Sequence, residues 1–98
     1  MLWARVYRRG KDTVLALADE ELMGKSFEEG EFVLKVGKFY KGKLIDEKEA
    51  MELCKEATII NAVGERAVKV VLKAGLASER SIKRISNIPH IQVVFYFV

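Results

Sequence analysis

Several residue types are nearly missing from this chain of 98 residues, which has one cysteine, one histidine, one proline and one tryptophan. A lone thiol, Cys54, closes no internal disulfide, and Cys54 with His90 falls short of a metal-ligand set. No metal and no cofactor are therefore expected. Long apolar runs are also lacking, since Val93–Val98 is far shorter than the ~20 residues a spanning helix needs. The start, Met-Leu-Trp-Ala-Arg-Val, has no charged, apolar and small-residue succession of a secretory signal. A reduced, soluble, cytoplasmic protein without a membrane role is the expectation. Enzyme signatures are sparse too. Gly24-Lys25-Ser26 resembles the tail of a phosphate-binding loop, but the position that needs the first glycine is Asp19, followed by Glu20 and Glu21. Three carboxylates would repel a nucleotide there, and nucleotide hydrolysis at this segment is excluded.

What is present is globular composition, half apolar and about a third charged. The net charge of +3 is unevenly spread. Residues 1–18 hold four basic side chains against one acidic, 19–57 seven against eleven, and 58–98 six against two. Two basic ends flank an acidic middle, which permits a basic face for a polyanion. A Lys/Glu-rich surface of thermophile type, poor in Asn, Gln and Cys, would show the same balance.

Hydropathy patterning predicts an α+β fold over one compact domain, 1–98, with a mainly antiparallel sheet built from hairpins and two main helices. Leu2–Arg9 alternates with period two, turns at Gly10, and pairs with a second strand, Thr13–Ala18. A helical turn is expected at Glu20–Met23. Glu31–Val36 reads as a strand with Phe32, Leu34 and Val36 inward, forming a lysine-rich hairpin with Phe39–Ile45. Asp46 caps a helix running to Ala57, with Glu49 answering three residues on. Ala50, Leu53, Cys54 and Ala57 are its buried stripe, so Cys54 is read as a small core residue rather than a nucleophile. Ile59 and Ile60 form a short strand. Asn61 is expected to cap the next helix, with Val63, Ala67, Val70, Val71 and Ala74 on one stripe and Gly75 as the left-handed stop. Ser78–Ser81 is a turn, Ile82–Ser86 a brief strand, Asn87–His90 a loop, and Ile91–Val98 a closing strand.

Three constellations carry possible chemistry. Trp3, Arg5, Tyr7 and Arg9 share one strand face, alternating rings and guanidiniums as single-stranded nucleic acid can use. Lys35, Lys38, Lys41 and Lys43 around Phe39 and Tyr40 repeat the mixture. The structural alternative places Trp3 and Tyr7 under a helix with the arginines snorkelling. Asn61, Gly64, Glu65 and Arg66 gather at the expected helix start, where amides favour an anion, although Glu65 would equally complement the helix dipole. His90 would be a general base only beside a reacting group, and nothing in the spacing supplies one.

Asn61-Ala-Val-Gly-Glu-Arg-Ala-Val68, Gly75-Leu76 and Ile88-Pro-His-Ile-Gln92 resemble an archaeal family of small proteins of unknown function, numbered 424 among such domains. Trp3, Val6 and Tyr7, Asp19-Glu-Glu-Leu-Met-Gly-Lys25 and Phe27-Glu-Glu-Gly30 fit the same family. The apolar tail after Gln92 lies outside the quoted pattern. The resemblance implies an archaeal, intracellular and thermophilic protein with no activity to carry over. It also groups Asn61, Gly64, Glu65, Pro89, His90 and Gln92, with Arg66 between them, as motif residues of a site or of a folding constraint.

The leading expectation is a non-catalytic module associated with RNA or a ribonucleoprotein, around the translation machinery. The runner-up is a protein-interaction or homodimer module using Val93–Val98, whose outer face would be an apolar patch. A third reading is a small enzyme with Glu65 and His90 as acid and base.

Overall fold

The computed structural model describes residues 1–95, and they form β1 (Leu2–Arg9), β2 (Asp12–Asp19), β3 (Ser26–Glu29), β4 (Phe32–Lys35) and β5 (Lys43–Ile45). After these come α1 (Glu47–Glu56), β6 (Ile59–Val63), α2 (Glu65–Lys73), β7 (Lys83–Ile85) and β8 (Ile88–Val94). Six strands make one sheet in the order β5-β1-β2-β6-β8-β7, and β3 with β4 makes a separate two-stranded arm. All pairings are antiparallel except β2 with β6, which run parallel at the centre. The fold is α+β, as the patterning predicts.

Period-two alternation sends the apolar residues of the inner strands to a face covered by both helices. Leu2, Leu15, Leu17, Ile60 and Ile91 meet Ala50, Cys54, Val70 and Val71 there, all buried. Removing each large branched side chain from water stabilises the fold by roughly 1.5–3 kcal/mol. Helix α1 starts as expected, with the Asp46 carboxylate accepting from the Glu49 amide at 2.8 Å. Cys54 lies in this core, and burial pushes its thiol up to about 11, so it is packing rather than a nucleophile. Helix α2 ends as expected at Gly75, whose φ of 75° lets the Leu76 amide reach back to the Val71 carbonyl at 3.3 Å.

The opposite face is covered by the arm and by the segment 36–40. Ala16, Ala18 and Val63 form its floor, and Leu22, Leu34, Val36 and Tyr40 pack on them. The small residues of β2 leave room for the Tyr40 ring against the sheet. Trp3 and Tyr7 are half-buried at the margin of this cluster, so the cover over them is a loop and a hairpin rather than a helix.

Four expectations are corrected. Phe39–Ile45 does not pair with residues 31–36. Gly30, at φ 60°, turns the chain so that β4 pairs with β3, Phe32 points outward and only Leu34 and Val36 point in. Val63 belongs to β6, not to a helical stripe, and Asn61 sits in mid-strand. Residues 88–90 are in a strand rather than in a loop. The turn is Ser86-Asn87, both at positive φ (48° and 68°), and Pro89 lies in β8 just past the last pairing with β6. The closing strand runs Ile88–Val94. Of the apolar tail, Val94 is 48% exposed, while Tyr96–Val98 lie outside the described residues. Among the described residues no helix is long and apolar enough to cross a membrane.

Candidate functional site

The helix start that the motif residues surround is capped from elsewhere. Gly64 holds φ 107°, and its amide donates to the Pro89 carbonyl at 2.9 Å. The first free amides of α2 belong to Arg66 and Ala67, and both donate to the carboxylate of Asp19 at the end of β2, at 3.2 and 2.8 Å. Asp19 is buried, and burial pushes its carboxyl above the usual value against the pull of those two amides and of Arg66. A side chain at Gly64 would put its first carbon 2.6 Å from each Asp19 carboxylate oxygen, so close approach as well as φ requires glycine. Arg66 stretches over Asp19 and grips both oxygens of Glu21. The cap assigned to Asn61 is thus made by Asp19.

Asn61 instead points to the other face. In register across the sheet, Arg5, Ala16, Asn61 and Gln92 lie in one row, and Trp3, Ala18, Val63, His90 and Lys83 in the next. The Asn61 Oδ1 accepts from the Tyr40 hydroxyl at 2.7 Å and lies 3.0 Å from His90 Nε2. Burial pushes the Tyr40 phenol up to about 12, so it keeps its proton and donates. One amide oxygen between two such groups fixes His90 Nε2 as a donor, and Nδ1 as the accepting nitrogen of the neutral ring. Burial, aided by the charge of Lys83, holds His90 below the usual histidine value. Tyr40 enters the sequence reading only as part of the lysine hairpin. An aromatic residue in a Gly/Lys segment was the available signal.

His90 and Gln92 line a cleft of about 520 Å³ between the arm and β7–β8, with Lys83 and Ile85 beside them and Glu29 and Phe32 on the arm. The two walls are tied together. The Ser86 amide donates to Glu29 Oε1 at 3.0 Å, and the Ser86 hydroxyl donates to the Glu28 carbonyl. Glu65 does not join this site. Its carboxylate pairs at 2.9 Å with Arg84, which borders the cleft, and Glu65 itself does not line it. No hydrogen bond or ion pair links Glu65 to His90 among the described residues, so the acid–base pair is not formed. The motif residues therefore separate by face: Gly64, Glu65 and Arg66 secure α2, Pro89 anchors Gly64, and Asn61, His90 and Gln92 serve the cleft.

The basic and aromatic constellations are partly gathered. Tyr7 stacks on Phe39 at 5.2 Å between centroids and donates to the Phe39 carbonyl at 2.7 Å. Arg5 lies 4.9 Å over the Tyr7 ring and donates to the Lys38 carbonyl, while Lys41 lies 5.9 Å from the Trp3 ring. Phe39 keeps 42% of its surface exposed, beside a groove of about 230 Å³ lined by Tyr7, Arg9, Val14 and Ile59. Lys43 is not part of this surface. It shares the helical side with Ala4 and borders Glu49, Glu52 and Glu56 of α1. Lys35 stands on the arm in β4. Among the described residues, no group of three or more His, Cys, Asp or Glu could hold a metal ion.

The family model described as "Protein of unknown function (DUF424)" matches residues 7–96. The match runs well into the apolar tail, which the quoted motifs leave out. A crystal structure of an uncharacterized conserved protein from Methanopyrus kandleri superposes with a TM-score of 0.79 at 31% identity, covering 99% of this chain and 95% of that one. No curated protein matches the chain.

Proposed function

We propose that this chain, which belongs to the DUF424 family of proteins of unknown function, is a non-catalytic module that holds single-stranded RNA. The observation that carries this reading is the Arg5–Tyr7–Phe39 stack, with an exposed Phe39 ring, a groove at its side that Arg9 lines, Lys38 holding Arg5 through its carbonyl, and Lys41 over the Trp3 ring. Phe39 offers a base a stacking face, worth ~1–3 kcal/mol. Arg5 and Tyr7 are engaged within the protein and set the position of that ring rather than stacking on bases themselves. Arg9, Lys38 and Lys41 supply charge for phosphates, and Lys43 has no part in it.

Anisotropy titrations of a labelled oligouridylate test the reading. Contact with three or four phosphates gives log K against log[salt] a slope of about −2 to −3, at ~0.7 per phosphate. Lys38→Ala and Lys41→Ala should each lower the slope by about 0.7, and Phe39→Ala should weaken binding by roughly 1–3 kcal/mol with the slope kept. Absence of any affinity at low salt would end the proposal.

A further inference from the structure

The cleft beneath the arm is separate from the RNA surface, since neither Arg5 nor Phe39 lines it. Its volume of about 520 Å³ suits a small molecule. It is also preformed. Ser86 ties the turn after β7 to the arm at two points, and Tyr40 fixes Asn61, which in turn fixes His90. A ligand entering finds walls already ordered, which lowers the cost of binding.

The polar groups inside have defined roles. His90 offers Nδ1 as an acceptor, because Nε2 donates to Asn61. The exposed amide of Gln92 can both donate and accept. Lys83 carries a positive charge with no ion-pair partner among the described residues, whereas Arg84 is occupied by Glu65 and by the Asn87 carbonyl. On the arm, Phe32 is 69% exposed, a large ring left in solvent at the cleft wall. Ile85 gives the floor an apolar patch. One aromatic wall, an amide, a fixed acceptor and a single free cation match a flat heterocycle that carries an anionic group. A bare phosphate would use Lys83 and leave the ring and the amide idle. Glu29, on the same wall as Phe32, disfavours a ligand of high negative charge.

We propose that the cleft between the arm and β7–β8 binds a nucleoside 5′-monophosphate unit. The base lies along Phe32 and Ile85 with its edge on Gln92 and His90 Nδ1, and the phosphate meets Lys83. The unit is either a free mononucleotide or an unpaired residue of an RNA chain. This site stands without the RNA reading of the Phe39 surface.

The test titrates the full chain with adenosine 5′-monophosphate while amide resonances are followed by NMR. Adenosine, inorganic phosphate and an oligoadenylate run in parallel. Adenosine 5′-monophosphate should shift Lys83, Ile85, His90 and Gln92 saturably, adenosine more weakly, and phosphate at equal concentration not at all. Phe32→Ala changes an exposed side chain and should weaken binding about five- to hundredfold, the range of base stacking on a ring. Lys83→Ala should bring the nucleotide down to the affinity of adenosine. If the oligoadenylate shifts the same four residues, the source is RNA; if it leaves them unmoved while the nucleotide binds, the source is the free nucleotide. Phe39→Ala should leave the nucleotide titration unchanged, which keeps this result apart from the fate of the RNA surface. Unmoved cleft residues, phosphate binding equal to that of the nucleotide, or wild-type affinity in both variants would overturn the proposal.

Discussion

Gly64→Ala is expected to lower the free energy of unfolding by roughly 2–5 kcal/mol. About 1–3 kcal/mol comes from forcing a side chain into a backbone region that glycine alone occupies comfortably, at φ 107° and ψ 158°. The rest comes from Asp19. The added carbon would lie 2.6 Å from its carboxylate oxygens, and pushing the carboxylate away removes a helix cap of about 1–2 kcal/mol. For a domain of this size the midpoint of thermal unfolding should fall by roughly 10–30 °C. The two causes can be separated. Gly64→Ala combined with Asp19→Ala removes the collision, so the double variant should lose at least about 1 kcal/mol less than the sum of the singles. A single-variant loss below about 1 kcal/mol would mean that the start of α2 relaxes around the methyl group.

Asp19→Ala is the second large change, with an expected loss of about 2–3 kcal/mol. Two amides at the start of α2, one part-buried and one buried, lose their acceptor. Asp19→Asn keeps the size and one good acceptor and should cost about half as much. The pair of wild type and Asp19→Asn also has a predicted pH dependence. Burial raises the folded-state value of the carboxyl above its unfolded value. The folded state therefore holds that proton more tightly, and stability from this group is full below the unfolded value. It is lost as pH rises through the folded value. The advantage of wild type over Asp19→Asn, measured by urea unfolding from acid to neutral pH, should shrink as pH rises. Growth of that advantage with pH would show that the amides and Arg66 outweigh burial.

These two residues also mark where the sequence stops being legible. Signals that act over a few residues read correctly: the alternation of β1 and β2, the Asp46 cap of α1, and the Gly75 stop of α2. Each is settled by neighbours within one turn or one hairpin. Asn61 was a sound cap by local rules, yet the carboxylate that does the capping lies 47 residues before Arg66. Asp19 itself reads as the first of three acids in a poor phosphate loop and as the start of a family motif, with nothing local to mark it as a cap. The partner of the arm's second strand is hidden from the sequence for a related reason. Phe32, Leu34 and Val36 alternate, but nothing local selects β3 over Phe39–Ile45 as the partner strand, and an exposed Phe32 has no local signature. Pro89 in a strand is tolerated because it stands one place beyond β6, a matter of register that sequence does not print.

The candidate sites were readable to a similar depth. Asn61, His90 and Gln92 were singled out together, and the sheet places all three on one face. Their link to Tyr40 has no local signature, because the contact joins residues 21 apart through a side chain that patterning assigns to a hairpin. The stripe of Trp3, Arg5, Tyr7 and Arg9 was real as a stripe. Arg5 and Tyr7 are engaged within the protein, which leaves Phe39 as the exposed ring beside the stripe.

The parallel pairing of β2 with β6 bears on how the chain acquires its structure. The hairpin β1–β2 and the unit β6–α2–β8 each close over short stretches, but they join through that pairing and the Asp19 cap on α2 only after a long intervening segment has been looped out. Closing such a segment costs an entropy that its first contacts scarcely repay. Asp19 comes from one half and caps a helix of the other, so neither half is complete until the two have joined. A population with one half formed and the other open would leave that helix start bare and that carboxylate unpaired. Such an arrangement disfavours half-folded forms, and a two-state unfolding transition is the expected result.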